Sequence, residues 1–186
     1  KTESSIGKFG VGFKAVFQYT ATPHIYAPGV RFCIDRFIVP TKLDEDYEGR
    51  QADETLFVFP FDHNEKSSVE AFEDISDKLR VLSYPALFLS SLKDISFEFD
   101  HTIGLYEKEI KETKQIGNVI VEYICLTRNK GEELYNDNLW LFSRKDDCGR
   151  KYSVGFFLNN EGLLKPVNEP AFCFFPTKEI TSLSFL

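Results

Sequence analysis

Glycines near the start of the chain could bind an anionic ligand. Gly7, Gly10 and Gly12 lie close together, with Lys8 and Lys14 beside them. Glycine lets backbone amides approach a ligand and adopt positive φ. A helix predicted to begin at about Gly12 would add unpaired N–H groups and the positive end of its dipole. This combination is typical of a loop that holds phosphate groups.

Two known phosphate motifs fit this segment poorly. A Walker A loop needs Lys and then Ser or Thr after its last glycine, whereas Phe13 follows Gly12. A dinucleotide fingerprint matches residues 10–15, and Asp35 stands where its acidic residue is expected, but that motif must follow a buried apolar strand. The polar residues 1–5 are not such a strand. A glycine turn that only leads into a core helix remains a further interpretation.

A third motif matches more closely. The run Ile6-Gly7-Lys8-Phe9-Gly10-Val11-Gly12-Phe13 resembles the third nucleotide motif of the GHKL ATPases, which include gyrases, heat-shock chaperones, histidine kinases and mismatch-repair proteins. It is most similar to the chaperone branch, in which Gln stands at the position of Lys8. Residues 14–20 and 54–59 resemble the sacsin-type chaperone-like ATPases. The resemblance implies that one loop, at the hinge of an ATP lid, contacts the phosphates and that a Thr on a late strand reaches the adenine. The implied ligand-binding residues are Gly7, Lys8, Phe9, Gly10, Val11, Gly12, Phe13 and Thr55.

The resemblance also implies an α+β fold in two parts. Residues 1–92 would be the C-terminal part of a Bergerat-type ATP-binding α/β sandwich. Residues 93–186 would begin a middle, or transducer-like, domain that is mostly antiparallel sheet. Closure of the lid on the γ-phosphate would then reposition this second domain in the intact protein.

The family's catalytic Glu, magnesium-binding Asn and adenine-reading Asp precede this motif and have no counterpart in the chain. We therefore expect a piece of a longer chaperone-like ATPase, an expectation that the absence of Met also favours. The intact protein would bind ATP and Mg²⁺. In this piece we expect no catalytic or metal-binding residue, no bound cofactor and no activity. We expect a protein partner, or the rest of its own chain, to complete the ATP-binding site. Two alternatives stay open: a non-catalytic α+β protein-interaction module and a dinucleotide-binding enzyme.

Composition limits the partners. The 186 residues carry a formal net charge of -7 and are 42% hydrophobic, which suits a folded domain and disfavours a general nucleic-acid surface. No apolar run approaches the roughly 20 residues of a membrane-spanning helix, and no secretory signal is recognisable. The four cysteines form no CxxC pair, so free thiols and a cytoplasmic location are expected. An exposed sheet edge could make the chain a homo-oligomer.

Local patterns predict the elements that must position the loop. A capping box at Ser67–Glu70 begins a helix over 67–82 whose apolar face is Phe72, Ile75, Leu79 and Leu82. The continuous apolar run 55–61 predicts a strand buried on both faces. The residues 95–99 alternate between apolar and polar and predict a strand. Short runs between turn residues predict further strands at 24–27, 30–35, 103–110, 118–127, 139–142, 152–158 and 171–175.

Overall fold

The structure is a computed structural model that describes residues 11–89, 92–130, 133–173 and 175–186. Antiparallel sheet dominates and helices are few, which confirms the α+β class with more sheet than helix. The chain divides into two compact units, Lys1–Asp77 and Lys78–Leu186. The domain boundary at residue 92 stays a prediction.

The longest of the described helices has 14 residues. In the five-stranded sheet, strands that follow one another along the chain are neighbours. The helices are α1 Val11–Lys14, a 3-10 helix Ala15–Gln18, and α2 Ser68–Val81. The strands are β1 His24–Ala27, β2 Val30–Asp35, β3 Val39–Lys42, β4 Leu56–Val58, β5 Asp94–Phe99, β6 Thr102–Ile116, β7 Val119–Lys130, β8 Glu133–Lys145, β9 Lys151–Leu158, β10 Pro170–Cys173 and β11 Phe175–Ile180.

The first unit contains a four-stranded antiparallel sheet in the order β3-β2-β1-β4. Its β1–β2 hairpin turns at Pro28-Gly29, where Gly29 has a φ of 78°, a value that glycine adopts without strain. At the other side of β1 lies β4, which is three residues long and pairs with no further strand among the described residues. Phe57 in β4 is 47% exposed. The prediction of a strand buried on both faces is therefore wrong, because one side chain of this run is half exposed at the edge of the described sheet.

The helix expected to begin at about Gly12 covers residues 11–18 of the part of the chain that the structure describes. One α-helical turn, α1, passes directly into the 3-10 helix. The backbone amides of Tyr19 and Thr20 both donate to the Val16 carbonyl, which ends the helical path at Gln18.

Helix α2 confirms the capping box. The Glu70 amide donates to Ser67 Oγ at 3.3 Å, and the Ser67 amide donates to the Glu70 carboxylate at 2.9 Å. Hydrogen bonds from the hydroxyl and the amide of Ser67 lower the pKa of Glu70. The buried positions of the helix are Ala71 and Ser76. The predicted apolar face is thus only partly correct, because Phe72 is 36% exposed.

The second unit is built on a five-stranded antiparallel sheet in the order β5-β6-β7-β8-β9. The β5–β6 hairpin turns at Asp100 and His101, whose φ values are 46° and 64°; two positive φ values are typical of a type I′ turn. One face of the sheet carries the core of this unit. Its buried residues are Tyr84, Leu87, Ile124, Leu126, Leu139, Leu141 and Phe157.

Strand β6 extends beyond its neighbour β5, which pairs only as far as Glu107. Along this outer stretch the Lys111 and Lys114 ammonium groups bind the carboxylates of Glu109 and Glu112, respectively. Charged side chains on an edge strand discourage pairing with another chain. In the described part of the chain, no helix is long and apolar enough to cross a membrane.

Candidate functional site

The predicted ligand-binding residues are described only in part. Gly7, Lys8, Phe9 and Gly10 lie outside the described residues. Val11, Gly12 and Phe13 lie in α1, and Thr55 is the exposed residue directly before β4.

An aromatic cluster fixes the end of the predicted loop beside β4. The ring centroid of Phe13 lies 6.2 Å from that of Phe17, 6.0 Å from that of Phe57 and 6.5 Å from that of Phe59. Aromatic rings at these separations attract one another beyond the burial of their surface. The Phe13 side chain is therefore a packing anchor, and it brings α1 next to the strand that Thr55 precedes.

Gly12 has no structural reason to be glycine among the described residues. It is exposed, and its φ is not among the positive ones. A Cβ built at this position would meet no atom within 4 Å. Neither strain nor packing in the described part requires glycine here, and no described atom occupies the space beside its Cα.

The described part of α1 is too short for a large helix dipole. The helix macrodipole is a sum over aligned peptide units, and the structure describes four residues of α1 before the geometry becomes 3-10. These described residues alone give the dipole a small contribution to anion binding. Any such binding would depend on individual amides and on nearby lysines.

A groove of about 550 Å³ runs beside α1 and the 3-10 helix. On one side the Lys66 ammonium binds the Asp74 carboxylate at 2.7 Å and lies 4.7 Å from the centre of the Tyr19 ring. Lys14 forms no ion pair with any described residue. The groove is lined by Lys14, Phe17, Gln18, His63, Glu65, Lys66 and Glu70.

Sequence reasoning missed Asp62, which organises the turn between the 3-10 helix and β1. Its carboxylate accepts hydrogen bonds from the Thr20 hydroxyl at 3.1 Å, the Ala21 amide at 2.7 Å and the Thr22 hydroxyl at 2.6 Å. Partial burial works in the opposite direction, but these bonds together lower the pKa of Asp62. No local pattern signals this arrangement, because about forty residues separate the carboxylate from its donors.

Replacing Asp62 by asparagine should destabilise the fold at neutral pH by about 1 kcal/mol, since one charged acceptor and part of its hydrogen bonding are lost. A carboxyl with a lowered pKa in the folded state stabilises the fold above its unfolded-state pKa. That contribution disappears as the pH falls through the folded value. The difference from wild type in urea unfolding should therefore shrink as the pH is lowered below about 4.

Asp44→Asn is the matched control, because the Asp44 side chain forms no hydrogen bond or ion pair with the described residues. An equal loss of stability in both variants would show that net charge, and not the hydrogen bonds of Asp62, is responsible.

Among the described residues, no three His, Cys, Asp or Glu side chains cluster closely enough to hold a metal ion. The four cysteines are free thiols. In comparisons with protein-family models, with curated proteins and with solved structures, nothing matches this chain. Functional inference therefore depends on the residues themselves and on the resemblance of their motif.

Proposed function

We propose that this chain contributes the phosphate-contacting loop of an ATP-binding site in a chaperone-like protein of the GHKL type. The backbone amides of residues 7–13 hold the phosphates, and the Thr55 hydroxyl faces the adenine end of the ligand. ATP is the ligand, and Mg²⁺ accompanies it in the intact protein. Lys8 and Lys14 add positive charge near the phosphates.

The observation that supports this proposal most is the environment of Gly12. A residue without a side chain is found where the described fold would accept one, and no described atom occupies the space beside it. Close approach of a ligand to the backbone explains this choice, because a Cβ would occupy the space that the ligand needs.

Two further features support the proposal. The Phe13 cluster brings the end of the loop next to β4, so that Thr55 and residues 11–13 lie on neighbouring elements. Lys14 follows the loop directly and no described carboxylate neutralises its charge. A cation of this kind favours a phosphate chain nearby.

We expect this chain by itself to bind ATP weakly and to leave it unhydrolysed. The residues that bind magnesium and activate water in the family have no counterpart among the 186 residues. Each missing charged hydrogen bond removes about 1.5–3 kcal/mol of binding free energy. Affinity in the millimolar range is therefore expected, and micromolar affinity would contradict this view of the site.

Nuclear magnetic resonance can measure such weak binding residue by residue. ATP titrated into the ¹⁵N-labelled chain should shift the amide signals of residues 7–13 and of Thr55. Inorganic triphosphate should shift the loop signals but leave Thr55 in place, because it has no adenine.

Gly12→Ala separates binding from folding. Alanine is a better helix former than glycine by up to about 1 kcal/mol, so the variant should be as stable as wild type or more stable. Its ATP-induced shifts should nevertheless be lost. The control Ala15→Gly changes an exposed residue immediately after α1; it should lower stability and leave the ATP shifts in place.

Other outcomes identify the competing functions. Shifts of the same loop by NAD that exceed those by ATP would favour the dinucleotide-binding enzyme. An unchanged loop at high ATP concentration, or shifts that survive in Gly12→Ala, would leave the glycines a packing role in an interaction module.

A further inference from the structure

A second groove in the first unit is lined by none of the described residues of the predicted loop. It has a volume of about 360 Å³ and lies between the β1–β2 turn and the loop that follows β3. This volume is within the range of small-molecule sites. Its described lining residues are Ala27, Gly29, Val30, Arg31, Lys42, Asp46 and Arg50.

Arg31 in this groove is held in place without being neutralised. Its Nε donates to the Leu43 carbonyl at 3.0 Å, and its Nη2 donates to the Asp44 carbonyl at 2.7 Å. Carbonyl oxygens orient a guanidinium but carry no formal charge. Arg31 forms no ion pair with a carboxylate among the residues that the structure describes.

The only acidic residue that lines the described groove, Asp46, is already paired with Arg50. Arg50 Nε and Nη2 donate to the two carboxylate oxygens at 2.8 and 2.7 Å, and the Arg50 side chain is 7% exposed. The hydrogen bonds from Arg50 lower the pKa of Asp46 to about 2, so the pair stays ionised at neutral pH. Arg50 also donates through Nη1 to the carbonyls of Gln51 and Glu54, which holds the loop in place.

The charge of the groove is therefore positive in a protein that is acidic overall. Arg50 forms an ion pair with Asp46, while Arg31 and Lys42 form none with a described carboxylate. The Asp46 carboxylate also attracts Arg31 at longer range, but three lining cations stand against this one acidic lining residue. A guanidinium presents a planar set of donors that matches phosphate oxygens, and a lysine adds a mobile point charge. Neighbouring carboxylates of the same loop, such as Asp44 and Glu45, do not line the groove. They will reduce the affinity for an anion, although salt screens exposed charges over about 8 Å.

We propose that this groove binds a small phosphate-bearing anion, either inorganic phosphate or a phosphate monoester, between Arg31 and Lys42. None of the lining residues belongs to the loop proposed to contact ATP, so the two sites can be tested separately. The Arg50–Asp46 pair acts here as a positioning element that shapes the groove, and Arg31 and Lys42 contact the ligand.

The test is titration of inorganic phosphate into the ¹⁵N-labelled chain at constant ionic strength, with sodium chloride as the reference. Phosphate should shift the amides of Gly29, Val30 and Arg31. Glycerol phosphate, as a second arm, shows whether a free anion or a monoester binds more tightly. ATP, as a third arm, shows whether a nucleotide also reaches this groove, independently of the shifts of residues 7–13.

Lys42→Gln should weaken phosphate binding about threefold to fivefold, as expected for the loss of one exposed charge. Arg31→Gln should weaken phosphate binding further. Because Arg31 also holds the loop after β3 in place, its replacement could change the shape of the groove. The exposed Lys42 has no such structural role, so Lys42→Gln is the decisive variant. Lys145→Gln in β8 removes the same charge in the other unit and should leave binding unchanged.

Equal weakening by Lys42→Gln and Lys145→Gln would overturn the proposal, because net charge alone would then explain the binding. Shifts that chloride reproduces at the same ionic strength, or the absence of phosphate shifts in the groove, would overturn it as well.

Discussion

Replacing Gly104 by valine is expected to destabilise the second unit by about 3 kcal/mol, at the upper end of what overpacking costs in a core. Gly104 is buried in β6, directly opposite Phe97 of β5. A Cβ at this position would lie 1.9 Å from Cζ of Phe97 and 2.4 Å from both Cε atoms. The aromatic ring therefore lies over the glycine and leaves no room for any side chain.

Movement of the Phe97 ring away from position 104 would break other contacts of that ring. Phe97 stacks on Phe99 with ring centroids 5.4 Å apart, and it lies 5.9 Å from the ring of Tyr106. The Tyr106 hydroxyl donates to the Leu79 carbonyl in the last turn of α2 at 2.6 Å. Displacing Phe97 would thus disturb a neighbour that caps the end of a helix.

Urea unfolding followed by Trp140 fluorescence measures the effect, because Trp140 lies in the same unit. Ile103→Val is the control: Ile103 is the preceding residue of β6 and is 60% exposed, so its loss of one methyl group should change stability by about 0.5 kcal/mol or less. A double variant with Phe97→Ala should lose less than the sum of the single changes, since removing the ring removes the clash. Additive losses would show that the ring does not contact position 104.

Replacing Asp137 by leucine should cost about 2–3 kcal/mol, less than for a fully buried pair because Arg128 stays partly exposed. Arg128 Nη2 donates to Asp137 Oδ2 at 2.8 Å, and the two side chains are 25% and 13% exposed. The guanidinium lies between two aromatic rings, 5.1 Å from the centre of the Tyr84 ring and 5.5 Å from that of Tyr135. Arg128 Nε is buried and has no hydrogen-bond partner in the described part of the chain. Without Asp137, the positive charge of Arg128 would lose its principal partner.

The double variant Arg128→Met, Asp137→Leu should recover most of the lost stability, because apolar side chains of similar size often replace an ion pair without penalty. A double-mutant cycle in urea measures the coupling between the two residues. Asp147→Leu provides the control in an exposed turn of the same unit. Equal losses in the Asp137 and Asp147 variants would show that the buried pair makes no special contribution.

The Tyr84 hydroxyl provides an independent measurement in the same cluster. Burial raises the pKa of Tyr84, and the negative charge of Asp137 raises it further. In Asp137→Asn the tyrosine should therefore ionise at lower pH than in wild type while it remains buried. Ultraviolet absorbance of tyrosinate as the pH is raised would record this change.

Local signals accounted for much of the fold. The Ser67–Glu70 capping box acts within a few residues, and the structure confirms it. The glycine of the β1–β2 turn and the turn at Asp100 and His101 also act locally, and each lies between two strands that the sequence predicts. Period-2 alternation also placed most strands of the second unit, because side chains of a strand point alternately to opposite faces.

Long-range contacts could not be read from the sequence. The apolar run 55–61 has the composition of a central strand, yet only three of its residues pair, at the edge of a sheet. The strand register that places Phe97 over Gly104 has no local signature. The hydrogen bonds of Asp62 join residues about forty positions apart.

The candidate site also combines local features that the sequence predicts with long-range contacts that it does not. The motif predicts which backbone segment binds phosphate. It could not show that Phe13 packs into an aromatic cluster or that no described atom lies beside the Cα of Gly12, because both depend on tertiary contacts. The groove between Arg31 and Lys42 likewise depends on the folding of the loop after β3.

The paired charges on the outer stretch of β6 imply that the salt concentration affects association between copies of this protein. Attraction between Lys111 and Glu109, and between Lys114 and Glu112, weakens as ions accumulate around exposed groups. Concentrated salt would therefore increase the influence of those backbone amides and carbonyls beyond residue 108 that face away from β7 and pair with no described strand. Purification and storage in dilute buffer are accordingly the conditions that best preserve separate molecules.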